Sequence, residues 1–225
     1  MTSIFERALG PDFARLHPLL RRRFGFNSAD GIACIGTGTM DRIWRGKAYT
    51  VPILHAGTAR HILFPEQGDD VPFRIENYAY RDGFGRETVT FVRSFAFQSG
   101  ITRRFDATMI YSAARGKVVD FIGTHQHVAV DLDLRVDDHG GLHITTGSQR
   151  ICGALLGFPL PQAFSGSADV HEWWDERAER LRIEVTVANR RFGPIFGYRG
   201  SFLPEFVSTT DVPDRVRPLR ETARE

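Results

Sequence analysis

Between Val71 and Thr146 the chain alternates apolar and polar residues almost without a break. Odd positions carry the apolar side in FRIENYA (Phe73, Ile75, Ala79), TVTFVRSFAF (Val89, Phe91, Phe95, Phe97) and RFDATMIYS (Phe105, Met109, Tyr111). A period of two sends successive side chains to opposite faces of a strand, so the pattern predicts a large antiparallel sheet with one apolar face. RDGFG, ARGK and DDHGG supply hairpin turns between the runs. This β meander covers about residues 71–147, and the same alternation predicts a short strand at 32–45 and last strands within 168–206.

Helical spacing is confined to two stretches. Ser3 and Glu6 form a capping box before Phe5, Ala8 and Leu9, and Gly10-Pro11 ends that turn. Phe13, Leu16, Leu19, Leu20 and Phe24 continue at helical spacing, Pro18 breaks or restarts the run, and Gly25 closes it. Arg21, Arg22 and Arg23 stand at the negative pole of that helix, where the simplest reading is a solvated end. A second helix is expected over about 50–64, from Val51, Leu54, Ile62 and Leu63. The apolar, proline-bearing stretch 150–164 predicts a short helix or packed loop. The charged segment 208–225 is expected to form a flexible tail.

A meander this long cannot stay open without leaving its apolar face in water, so it must curl or fold over a cover. The predicted class is therefore α+β, mostly antiparallel β: one domain over 1–207, curled into a barrel or half-barrel and covered by the helices at about 3–24. Length agrees, since 225 residues suit one β-rich domain.

Composition adds mainly exclusions. A net charge of +2 gives no reason to expect a nucleic-acid partner. No run approaches the ~18 apolar residues of a transmembrane helix. MTSIFERALG carries charges where a secretory leader needs an apolar run, so a cytoplasmic location is expected. Cys34 and Cys152 match no metal or redox spacing and read as reduced thiols.

The eighteen phenylalanines are a compositional excess. Phe73, Phe91, Phe95, Phe97, Phe105, Phe196, Phe202 and Phe206 are expected on the concave side of the sheet, as core filler first and pocket wall second. Arg93 breaks the pattern, because it falls on the apolar register between Phe91 and Phe95, with Glu87 on the same side. A guanidinium on that face must be paired or must open toward a cavity. Either it anchors an acidic ligand or it belongs to a structural ion pair.

In GTHQHVAVDLDLRV, His125, His127, Asp131 and Asp133 share one face of a strand. Two such histidines form a weak metal candidate, set against an ordinary solvent face. Gly36-Thr37-Gly38 lacks the third glycine of a dinucleotide loop and reads as a bent strand. No P-loop, nucleophile elbow or zincin helix is present, and Ser112, Ser165 and Ser167 have no local partner. No cofactor is expected.

Four segments then carry a resemblance: IFERALGPDFARLHPLLRRRF, TVTFVRSFAFQS, LLGFPLPQAF and VANRRFGPIFGYRGSF, in this order. Together they resemble a bacterial family of domains of unknown function, number 4166, over residues 4–206. Members occur alone or fused to NADP-binding domains similar to saccharopine dehydrogenase, which implies closeness to small-molecule metabolism. The resemblance carries over no catalytic residue, and it makes Arg93, Tyr198 and Arg199 candidates.

The functional expectation is an apolar or amphipathic, lipid-like small molecule held in the curved sheet. Arg93 would meet its acidic group, Phe91 and Phe95 its apolar part, and Tyr111 and Tyr198 would supply hydroxyls, with Arg199 nearby. One alternative is a small-molecule enzyme using His125 and His127 with an acid. The other is a structural accessory or partner-binding domain, whose mark would be a large exposed apolar patch.

Overall fold

The computed structural model describes residues 2–152, 157–159 and 166–223, the side chains of 157–159 excepted. The strands are β1 (Ile32–Arg45), β2 (Gly68–Arg81), β3 (Glu87–Ala96), β4 (Thr102–Ser112), β5 (Lys117–Ile122) and β6 (Val128–Val136). They continue with β7 (Leu142–Cys152), β8 (Gly157–Pro159), β9 (Ser167–Asp175), β10 (Arg180–Asn189) and β11 (Gly193–Ser208). Each pairs antiparallel with its neighbours, β11 returns to β1, and the β6–β7 and β7–β9 ladders close the ring. The result is a closed ten-stranded antiparallel barrel, with β8 lying on the outer half of β7. Closure answers the problem posed by the alternating pattern: the apolar face becomes the inside and each of the ten barrel strands is paired on both sides.

The odd-numbered residues of β2, β3 and β4 point inward as their alternation requires, and Phe73, Phe91, Phe95 and Met109 belong to one continuous core. Phe196 and Phe202 of β11 join it. Phe206 does not: it is half-buried near the barrel rim, with the Arg22 guanidinium 4.0 Å above its ring.

Two groups of residues plug the barrel. α1 (Ile4–Leu9) is capped by Ser3, whose hydroxyl accepts from the Glu6 N–H at 3.0 Å. A 3-10 turn follows over Gly10–Arg15, and Pro18 restarts the chain as α2 (Pro18–Gly25). Phe5 and Phe24 meet edge to face at 4.8 Å, and both approach Phe91. Further along β3, Phe64 packs against Phe95, Phe97 and Phe196. α3 (Val51–Thr58) adds Leu54 to the core and is shorter than the helix expected over 50–64, since the chain turns at Arg60 and His61.

Gly36 and Gly38 lie in β1, as a bent strand rather than a phosphate loop. A Cβ on Gly36 would stand 2.5 Å from the Phe202 ring and 2.6 Å from an Ile75 methyl, so a missing side chain here lets two core residues meet. Residues 153–156 and 160–165, where a helix or packed loop was expected, lie outside the described residues. After Ser208 the chain follows the outer face of the barrel. Val216 is buried there, and Arg215 donates to both carboxylate oxygens of Glu76 at 2.8 Å. No helix among the described residues is long and apolar enough to cross a membrane.

The Gly36 contact gives a test of packing. Gly36→Ala should lower stability by about 1–3 kcal/mol through overpacking against Phe202 and Ile75, read from chemical denaturation. An unchanged midpoint would show that the two side chains yield freely.

Candidate functional site

The inward faces of β3, β5 and β11 bring Arg93, Asp120 and Tyr198 to one internal cavity of about 70 Å³. Apolar groups make most of its wall, among them Phe91, Phe105, Ile75 and Met109. Strand register fixes the placement: Arg93 stands opposite Ile75 and Phe105, and Asp120 opposite Met109 and Val130.

Arg93 is 8% exposed, and its Nε and Nη1 have no hydrogen-bond partner among the described residues. Its guanidinium carbon lies 4.7 Å from the centre of the Phe105 ring and 5.5 Å from that of Phe91. The rings replace part of the lost hydration, but a π face does not accept as a carboxylate does. Glu87, on the same side of β3, is engaged elsewhere: it accepts from the Ser28 amide and hydroxyl.

Asp120 lines the same cavity and is coupled to Arg93 by charge. It forms no salt bridge with Arg93, and its Oδ1 has no partner among the described residues. Burial pushes its carboxyl pKa up to about 7, against a weaker opposite pull from Arg93. The side chain retains some accessible surface because it lines a cavity. Tyr198 is fully buried, its hydroxyl is unpartnered among the described residues, and burial raises its pKa despite Arg93 nearby.

Beside this group lies an ion-paired one, although Arg23 Nη2 also has no hydrogen-bond partner among the described residues. Arg23, at the end of α2, donates through Nε to Glu172 of β9 at 2.5 Å, and through Nη1 to Asn77 and, at 3.4 Å, to Cys34 Sγ. Burial opposes the Arg23 charge, but Glu172 and Cys34 outweigh it and the guanidinium stays charged. Burial likewise raises the Cys34 thiol, which Arg23 only partly offsets, so the thiol stays protonated. Arg23 is thus a core residue and not the solvated helix end that its sequence position suggests.

Of the expected ligand residues, Arg93, Phe91 and Tyr198 line the cavity together. Phe95 stands behind them, edge-on to Tyr198 at 5.2 Å. Tyr111 is on the inward face but away from the cavity, with the Arg7 guanidinium 4.2 Å over its ring. Arg199 is exposed on the outer face, because it follows the inward Tyr198 directly and adjacent strand residues point opposite ways.

His125 and His127 are not on a strand face with acids, since β6 begins after them at Val128. Arg220 stands 3.0 Å and Arg60 3.5 Å from the His127 ring nitrogens. Desolvation and these cations lower both histidine pKa values. Asp131 accepts from Arg150 and Arg115, and Asp133 from Lys117. The expected hydroxyl candidates are scattered: Ser112 is buried with an unpartnered Oγ among the described residues, Ser167 donates to the Ala188 carbonyl, and Ser165 lies outside the described residues.

Two groups escaped the sequence reading. Asp120 sits between Val118 and Ile122 on the inward register of β5, the same signal that exposed Arg93. The other is on the outer wall, where His143 of β7 and His171 of β9 are register partners. Both face Asp137, whose Oδ1 accepts from the His139 and Gly141 amides at 2.8 Å. Burial works against the Asp137 charge, but those amides and His171 outweigh it and hold the carboxyl below its usual range.

The comparisons with known proteins give family and no activity. The chain is 33% identical over 207 residues to the uncharacterized protein YndH of Bacillus subtilis (strain 168), covering 91% of this chain and 98% of that protein. No solved structure matches the chain significantly. Residues 16–202 match the family described as Domain of unknown function (DUF4166), so the chain belongs to that family.

Proposed function

We propose that the barrel binds a small molecule through an acidic group, with Arg93 as the anchor. The observation that carries this reading is a buried guanidinium with two unpartnered nitrogens, aimed into a cavity whose own carboxyl is drawn toward neutrality. With Asp120 protonated and Glu172 of the same wall taken up by Arg23, Arg93 is left without a paired carboxylate, and burial makes an anion the natural partner. The Tyr198 hydroxyl and protonated Asp120 supply two more donors to the same anion.

Size narrows the ligand. A cavity of about 70 Å³ is well below the ~300–1,000 Å³ of most small-molecule sites. A whole lipid does not fit it. A carboxylate with a short apolar chain does, and so does the acidic end of an amphipathic compound.

A catalytic version of this reading rests on Asp120 rather than on His125 and His127. A carboxyl titrating near neutrality in an enclosed apolar cavity is suited to give or take a proton from the molecule Arg93 holds. The partner-binding alternative has less support. Exposed large apolar residues such as Ile53, Phe84, Leu203 and Leu219 sit on separate elements, and among the described exposed ones only Tyr49 and Phe192 are in ring contact.

Two outcomes are expected. Calorimetric titration with straight-chain monocarboxylates from butyrate to octanoate should show saturable binding that Arg93→Met weakens at least about tenfold, the loss of one charged hydrogen-bonding partner. Equal affinity in the variant, or no binding by any chain length, would overturn the reading.

The second concerns pH. Asp120 has a higher pKa folded, about 7, than the ordinary 3.8, so the folded chain binds the extra proton. Its contribution is fully present below about pH 4 and is lost as pH rises through about 7, at about 1.4 kcal/mol per pKa unit. Asp120→Asn should therefore gain stability relative to the parent chain between pH 4 and pH 8. Parallel stability curves would refute the buried, unpaired assignment.

A further inference from the structure

We propose that Asp137, His143 and His171 form a site for a divalent transition-metal ion of the zinc type on the outside of the barrel. The site is independent of the inner cavity. Strand pairing creates it: Leu142 and Glu172 are register partners facing inward, so the next pair, His143 and His171, faces outward together. The hairpin after β6 then returns Asp137 to the same place.

The donor set has the right atoms and spacing. One ligand atom from each residue lies within 4.8 Å of the others. Asp137 Oδ2 is 3.0 Å from His171 Nε2 and 3.5 Å from His143 Nε2. Tetrahedral zinc with bonds of about 2.0–2.1 Å sets neighbouring ligand atoms about 3.3 Å apart, so these donors already stand near coordination distance. The carboxylate is oriented for the role, because its other oxygen is fixed by the His139 and Gly141 amides. A Cβ on Gly141 would stand 2.5 Å from Asp137 Oδ2 and 2.9 Å from His171 Nε2, so a bare backbone keeps the approach clear.

The two imidazoles lie nearly parallel, 13° apart with centroids at 3.8 Å, so capture asks for a small splay of the rings. Their side chains are 23% and 29% exposed, which leaves room for it. Three protein ligands leave a fourth position open to water or an exogenous ligand. Besides His171 and Asp137, Arg135 and Asp169 are the charged groups acting on His143, with opposite signs.

The ion would also have a structural effect. The β7–β9 ladder joins only Leu142–Thr145 to Asp169–Glu172, the shortest ladder in the barrel wall among the described residues. A metal bridging His143 and His171 clamps that seam, so the folded chain binds it and the unfolded chain does not.

Calorimetry with zinc on the tag-free, chelator-stripped full chain tests the proposal, alongside copper(II) quenching of indole fluorescence. Trp173 stacks on His171 at 4.4 Å and reports the ion directly. One ion per chain is expected, with a rise in thermal midpoint. His143→Gln and His171→Gln should each lower affinity at least about tenfold, and Trp173→Phe should remove most of the quenching. Thermal unfolding of the ion-free variants verifies that each is folded; were one not, the other and the quenching still decide. No saturable uptake, wild-type affinity in both glutamine variants, or quenching indifferent to Trp173→Phe would overturn the site.

Discussion

A guanidinium taken out of water must find acceptors, and inside this barrel Arg23 is paired with a carboxylate and Arg93 is not, among the described residues. Arg23 is met by Glu172, Asn77 and Cys34. Arg93 is met by two phenylalanine rings and by a carboxyl that burial keeps near neutral. Leaving a buried cation so poorly compensated costs several kcal/mol, and the aromatic contacts return only part of it. Arg23–Glu172 is a structural pair locking α2 to β9. Arg93 is the unfinished counterpart, and the cavity in front of it is where an acceptor fits.

The same period of two organises everything else. β9 carries Glu172 toward the core and His171 toward solvent, one residue apart. β5 does likewise with Asp120 inside and Phe121 in a separate outer cluster. Each strand therefore contributes to two surfaces with different dielectric surroundings. Inside, burial drives the Asp120 carboxyl up to about 7, whereas the outer histidines stay accessible to an ion.

Much of this was legible in the sequence. Alternation through Phe73, Phe91 and Met109 defined the inner face, and Arg93 stood out because it broke that register. Applied to every strand, the same rule would also have found Asp120 between Val118 and Ile122, and would have separated inward Tyr198 from outward Arg199. Other features had no local signal. Arg23 looked like a solvated helix end, and only the docking of α2 into the barrel buries it. His143 and His171 are 28 residues apart by their numbering and meet because β7 pairs with β9, a non-local event that spacing does not encode. The histidines of GTHQHV were misplaced because the strand starts after them, at Val128.

The central claim is that Arg93 awaits an anion. Nitrogen NMR of the guanidinium Nε–H groups observes this directly, with the Arg93 signal assigned by its loss in Arg93→Lys. Butyrate added to the labelled chain should shift that signal saturably while the signal of Arg23 stays in place. An Arg93 signal unmoved by butyrate and by longer carboxylates in the folded protein would contradict the account.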